Sequence, residues 1–238
     1  MRRLRLASFL DRLDSKIQRH AERLNPEPAW FREFRSYLGD PRMTIEEFWI
    51  GYTLLRNHER PKMRAVSTSA AAHEYFATSD YPLWRNLVHR RHSAWRRVLW
   101  TMSGKHGRLL EIGCGIAPVS AWVAPRKPGW RFGLQDVPGA ASLKYANHRL
   151  REQSECFCSW SVTTALDVFE HLAHPVQSAE RAVKGLLPGG YLHWNFVETD
   201  GTQLDLATAD QRRDTIAYLR SALRVVYEEP GYIVSQRP

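Results

Sequence analysis

The stretch that decides the fold is Leu110-Glu111-Ile112-Gly113-Cys114-Gly115-Ile116-Ala117-Pro118. The run Arg108-Leu109-Leu110-Glu111-Ile112 reads as a short buried strand, and Val119–Val123 reads as a helix. The two glycines therefore fall at a strand-to-helix turn, where the lack of a Cβ lets the backbone approach a ligand closely. Such a turn suits the nucleotide crevice of a doubly wound sheet. A dinucleotide fingerprint needs a third glycine three residues after the second. Pro118 stands there, which argues against NAD or FAD.

Working outward toward the C-terminus, the periodicity keeps alternating. Trp130–Gln135 is strand-like and Ala140–Arg151 helical. Val162–Leu166 is a strand, Val176–Leu187 a helix, Tyr191–Phe196 a strand and Thr208–Leu223 a helix. Arg224–Tyr227 and Tyr232–Gln236 form a closing antiparallel pair around Pro230-Gly231. This order predicts an α/β fold with a mostly parallel sheet and helices on both faces. Asp136 ends the second strand, 21 residues past Gly115, where a carboxylate can accept both hydroxyls of a ribose.

Four pieces in this order, Glu111–Gly115, Gln135-Asp136-Val137, Asp167-Val168-Phe169-Glu170-His171-Leu172 and Leu187-Pro188-Gly189-Gly190, closely resemble the class I S-adenosylmethionine-dependent methyltransferases of the small-molecule branch. The likeness is strong over about residues 105–195. It implies a Rossmann-like domain over 105–238 with S-adenosyl-L-methionine as cofactor. By the same resemblance, Glu111, Gly113, Cys114 and Gly115 would cradle the methionine part. Asp136 would hold the ribose, Val137 would lie against the adenine, and Asp167 and Val168 would line the cofactor beside its methyl group. Leu187–Gly190 would be a scaffold turn. The sequence departs from the family's pattern twice. Ala117 stands where the third glycine of G-x-G-x-G is usual, and only 31 residues separate Asp136 from Asp167. The third strand should therefore be abbreviated or missing, with no acid to meet the adenine amine.

Methyl transfer from a sulfonium needs alignment and exclusion of water more than proton chemistry. A hydroxyl acceptor also benefits from a base, and His171, which by the resemblance follows the fourth strand near where the methyl should be, is the candidate. The alternative is that Glu170 and His171 serve only local structure. His193, on the last parallel strand, is a weaker candidate. No metal-ligand spacing occurs; Glu170, His171 and His174 lie in one short loop, which rarely supplies a full ligand set. Cys114 reads as a filler in the cofactor turn, and Cys156 and Cys158 as core residues. Three cysteines without a CxxC pair fit a reduced, cytoplasmic setting.

Residues 1–104 read as helices with aromatic and aliphatic residues at helical spacing, and Thr44-Ile45-Glu46-Glu47 is a capping box. A single helix is expected from Pro82 to about Met102. In the family this segment serves as a helical lid and acceptor pocket, with Arg56, Arg60, Lys62 and Arg64 as candidates to orient an acid group. The chain has 238 residues and a net charge of +9, and all of the excess lies early: residues 1–106 hold 20 Lys and Arg against 11 Asp and Glu. That asymmetry admits an acidic partner, nucleic acid or an anionic membrane surface, through the basic helices. Against nucleic acid, no Pro-Cys pair and no Asn/Asp-Pro-Pro-aromatic stretch occurs. No apolar run is long enough to cross a membrane. The leading reading is methyl transfer to an oxygen or nitrogen of a small-molecule acceptor. An RNA- or protein-directed methyltransferase and an inactive binding protein of the same fold remain alternatives.

Overall fold

The computed structural model describes residues 4–5, 7–10, 25, 27–89, 94–150, 159–196 and 205–238. Its centre is a six-stranded sheet: β1 (Gly107–Ile112), β2 (Trp130–Gln135), β3 (Trp160–Ala165), β4 (Leu186–Trp194), β5 (Arg224–Glu229) and β6 (Tyr232–Gln236). The spatial order is β2-β1-β3-β4-β6-β5. The first four strands run parallel, and β6 and then β5 close the sheet antiparallel. The chain steps from β1 outward to β2, then returns across β1 to β3. The point between β1 and β3 is thus the switch where open α/β sheets form their ligand crevice. Among the described residues β2 is an edge, and residues 151–158, where an abbreviated third strand would fall, lie outside them along with Cys156 and Cys158.

Among the described residues, the helices bounded before β1 are α1 (Ala29–Leu38), α2 (Ile45–Ala65), α3 (Ser69–Thr78), α4 (Tyr81–His89) and α5 (Trp95–Thr101). After β1 come α6 (Pro118–Val123), α7 (Ala141–Leu150), α8 (Pro175–Gly185) and α9 (Ala209–Ala222). The capping box at the start of α2 forms in full: Glu47 N donates to Thr44 Oγ1 at 3.2 Å, and Thr44 N donates to the Glu47 carboxylate at 2.7 Å. The expected single helix over 82–102 is instead α4 and α5, with 90–93 between them outside the described residues. The basic helix expected over 4–24 is helical at residues 4–5 and 7–10, and the rest lies outside the description.

Both faces of the sheet are covered, as helical crossovers between parallel strands require. On one face Val98 of α5 with Met102 just past it, Val119 and Val123 of α6 and Ala146 of α7 pack on Leu109, Phe132 and Val162. On the other, Ala179 and Val183 of α8 and Leu219 of α9 pack on Ala165, Leu192 and Trp194. The earlier helices build a core of their own: Phe31, Phe34 and Phe48 pack with Leu83 and Leu87 of α4. Phe48 also stacks on Trp84 at 4.8 Å. That core continues onto Ile116 and Tyr145, so α1, α2 and α4 are seated against the turn after β1 and against α7.

Two expectations are corrected here. Leu187–Gly190 is no simple turn ahead of a strand: β4 begins at Leu186, and the stretch bulges out of register with β3. The bulge is held by the C-terminus, with Gly189 N donating to Arg237 O at 3.0 Å and Arg237 N to Gly190 O at 2.9 Å. His193 is a core residue. It is fully buried, its Nδ1 lies 2.5 Å from the Tyr232 hydroxyl, and its Nε2 lies 2.7 Å from Thr101 Oγ1. Burial, reinforced by Arg97, pushes its pKa down to about 3, so it stays neutral.

Candidate functional site

The crevice at the carboxyl ends of β1 and β3 is a cavity of about 420 Å³. Of the residues the sequence marks, Gly113, Cys114, Gly115, Asp136, Val137, Asp167, Val168 and His171 all line it. Glu111 is the exception. It lies beneath the turn, buried, and accepts hydrogen bonds from Val119 N at 3.3 Å and Ser120 N at 2.8 Å. A carboxylate there satisfies two amides that the first turn of α6 leaves unpaired. Burial raises its pKa against those hydrogen bonds.

The turn itself is conformationally demanding. Gly113 and Gly115 have φ of 60° and 50°. A Cβ on Gly113 would fall 2.5 Å from Val168 Cγ2, and one on Gly115 would fall 2.7 Å from Asn86 Nδ2. Ala117 has φ 50° and ψ 55°, so the residue at the family's third glycine adopts the glycine conformation and carries its strain. Asp136 pins the turn from the side. Its Oδ2 accepts from Gly115 N at 2.6 Å and its Oδ1 from Val137 N at 2.7 Å. Each oxygen keeps a second lone pair directed elsewhere, so the carboxylate can still accept hydroxyls. Burial raises its pKa, opposed by those two amides. The Cys114 thiol is pushed far up, by burial first and then by the Asp136 and Glu111 carboxylates. It is a filler and not a nucleophile.

The loop after β3 forms the cavity's floor. Asp167 has φ 55° and is clasped by Asn195: Asp167 N donates to Asn195 Oδ1 at 2.6 Å, and Asn195 Nδ2 donates to Asp167 Oδ1 at 2.5 Å. His171 closes a short 3-10 turn over Phe169–His171. Its Nδ1 lies 3.0 Å from Asp205 Oδ1, and Asp205 Oδ2 accepts from Arg212 at 3.1 Å. Next to it Glu170 is buried, and burial together with Asp167 and Asp205 pushes its pKa up to about 7. Sequence reasoning missed Asn195 and Asp205. Asn195 follows the end of β4 and Asp205 precedes α9, and neither carries a motif. Asn195 shares its strand parity with His193, and that spacing was the one available signal.

The helical half supplies the opposite wall. Met63 from α2, Ser69, His73, Tyr75 and Phe76 from α3, and Tyr81, Arg85 and Asn86 from α4 line the same cavity. The cation brought to the wall is Arg85. The Arg56, Arg60, Lys62 and Arg64 group expected from the sequence is absent from the lining. Among the described residues no three His, Cys, Asp or Glu side chains converge as a metal site. No helix there is long and apolar enough to cross a membrane.

No family model matches the chain, and no curated protein sequence does. Solved structures do. An O-methyltransferase family protein from Burkholderia thailandensis superposes with a TM-score of 0.50 at 12% identity, over 80% of this chain and 71% of the other. The N-methyltransferase NodS from Bradyrhizobium japonicum WM9, solved with S-adenosyl-l-homocysteine, gives 0.48 at 18% identity over 71% of this chain and 97% of its own. An O-methyltransferase family 2 protein from Planctomyces limnophilus DSM 3776, solved with apigenin, gives 0.42 at 19% identity over 56% of this chain. The match spans half the length of that last protein. The fold of the chain is that of the Rossmann-like, class I methyltransferases.

Proposed function

We propose that the chain is an S-adenosyl-L-methionine-dependent methyltransferase that transfers a methyl group to an oxygen or nitrogen of a small-molecule acceptor by in-line displacement. The observation that carries this is convergence. The glycine turn, Asp136, Val137, Asp167 and Val168 meet in one cavity at the sheet's switch point. The lining suits an adenosyl sulfonium. Asp136 can accept ribose hydroxyls, Val137 and Leu166 offer apolar surface to a base, and the turn brings backbone close to a polar chain. Glu111 supports this site from below by holding α6 to the turn. When bound, the cofactor supplies an activated methyl group.

The chain's own residues then align the acceptor and exclude water. Residues 1–104 act as a lid, a reading supported by the residues of α2, α3 and α4 that line the cavity. For a hydroxyl acceptor His171 is the base. Asp205 at its Nδ1 orients the imidazole, and Asn195 fixes the adjoining Asp167 turn.

Calorimetry tests the reading. S-adenosylhomocysteine should bind in the micromolar range, NAD should not bind, and Asp136→Ala should weaken S-adenosylhomocysteine at least about tenfold in a folded variant. Binding of NAD without S-adenosylhomocysteine would sink the assignment.

A further inference from the structure

The cavity is electrically polarised. Its two lining carboxylates, Asp136 and Asp167, stand on the sheet wall and are already engaged by amides. Its arginine, Arg85, stands on the helical wall, exposed at the mouth. Asn86 is the next residue on α4, and its amide meets the glycine turn. Neighbouring helix positions diverge by about 100°, so Arg85 faces elsewhere. Its charge reaches the hydroxyls of Tyr52 and Tyr75, and at Tyr75 the Glu59 carboxylate, itself bonded to Lys62 and Ser79, acts in the opposite sense. No carboxylate pairs with Arg85 among the described residues. The same helices line the cavity with Tyr75, Phe76, Tyr81 and Met63.

A planar guanidinium in a cavity that aromatic rings also line, with no carboxylate paired to it among the described residues, matches a flat ligand that carries a carboxylate. We propose that the helical wall binds the methyl acceptor as a small aromatic carboxylate. Arg85 receives the carboxylate, and the rings of Tyr75, Phe76 and Tyr81 flank the aromatic plane. This rests on the methyl-transfer reading above and names its acceptor class. A cationic amine of the same size is disfavoured at this end by Arg85, and a neutral ring leaves the guanidinium without a partner.

The test uses the full chain saturated with S-adenosylhomocysteine and titrated with 4-hydroxybenzoate, 4-hydroxybenzamide and tyramine. The carboxylate should bind at least about tenfold more tightly than the amide, and tyramine should bind weakest. Arg85→Gln should abolish the preference while S-adenosylhomocysteine affinity stays within about twofold, and Arg85→Lys should restore part of it. A wild-type complex that does not distinguish carboxylate from amide overturns the inference and leaves the cofactor reading standing. So does an Arg85→Gln variant that loses S-adenosylhomocysteine affinity instead, which would assign Arg85 to the cofactor's own carboxylate. Failure of the wild type to bind S-adenosylhomocysteine overturns both.

Discussion

On the sheet wall of the cavity, Gly113, Gly115, Asp136 and Asp167 are placed by backbone. Each sits at or just past the end of a parallel strand, and each is tied to a main-chain partner or to a left-handed φ. On the helical wall, Met63, Tyr75, Tyr81 and Arg85 come from three different helices and are placed only by how those helices pack. The first wall tolerates few residue types at each position, because a Cβ or a lost carboxylate collides with something fixed. The second tolerates many, because apolar rings of similar volume can fill the same space. One fold can thus keep a cofactor crevice constant while its opposite wall varies.

The contrast can be broken by substitution. Phe48→Ala, in the fully buried ring cluster behind the helical wall, should lower stability by about 3–5 kcal/mol. Denaturant unfolding measures it, and S-adenosylhomocysteine affinity of the folded fraction should change less than threefold. Wholesale loss of that affinity would mean that the two walls are not separable. Gly113→Ala should cost about 2–4 kcal/mol, from the left-handed φ and the collision with Val168. It should also abolish cofactor binding. A variant of normal stability would remove the backbone argument for the sheet wall.

The floor between the walls carries a pH signature. Glu170 has its pKa pushed up to about 7 from 4.5 by burial and by Asp167 and Asp205, with Arg212 opposing. A raised carboxyl pKa means that the folded state holds a proton the unfolded state releases. The neutral form is favoured at low pH, and stability falls as pH rises from about 4.5 to about 7. Glu170→Gln should therefore stabilise the protein by on the order of 2 kcal/mol at pH 8 and by nothing at pH 4. Thermal melts at the two pH values decide it, and an equal effect at both would discard the buried-acid assignment. The smallest effect is expected at Ala117→Gly. Release of left-handed strain outweighs the added chain entropy, for a gain of at most about 1 kcal/mol. A loss of stability would show that the Ala117 methyl packs well enough to offset its strain.

Much of the sheet wall was legible in the residues themselves. The turn at Gly113–Gly115, the acid at Asp136 and the loop at Asp167–His171 follow short-range rules, since each is a strand end with a required φ or a required acceptor. Those rules act within a few residues of chain, so local pattern suffices to place them.

Sequence alone therefore determined the fold class, the location of the crevice and most of the groups on its sheet wall. Tertiary structure alone decided that Glu111 works from beneath the turn, that His193 is sealed in the core, and that Asn195 and Asp205 reach the floor. It also decided that Arg85, rather than Arg56 to Arg64, is the cation on the helical wall. The physical reason is range. A backbone turn is specified by its own residues, whereas the neighbours of a side chain on a packed helix depend on the axial rotation and crossing of elements far apart in sequence. An amphipathic pattern says that a face is buried but not against what.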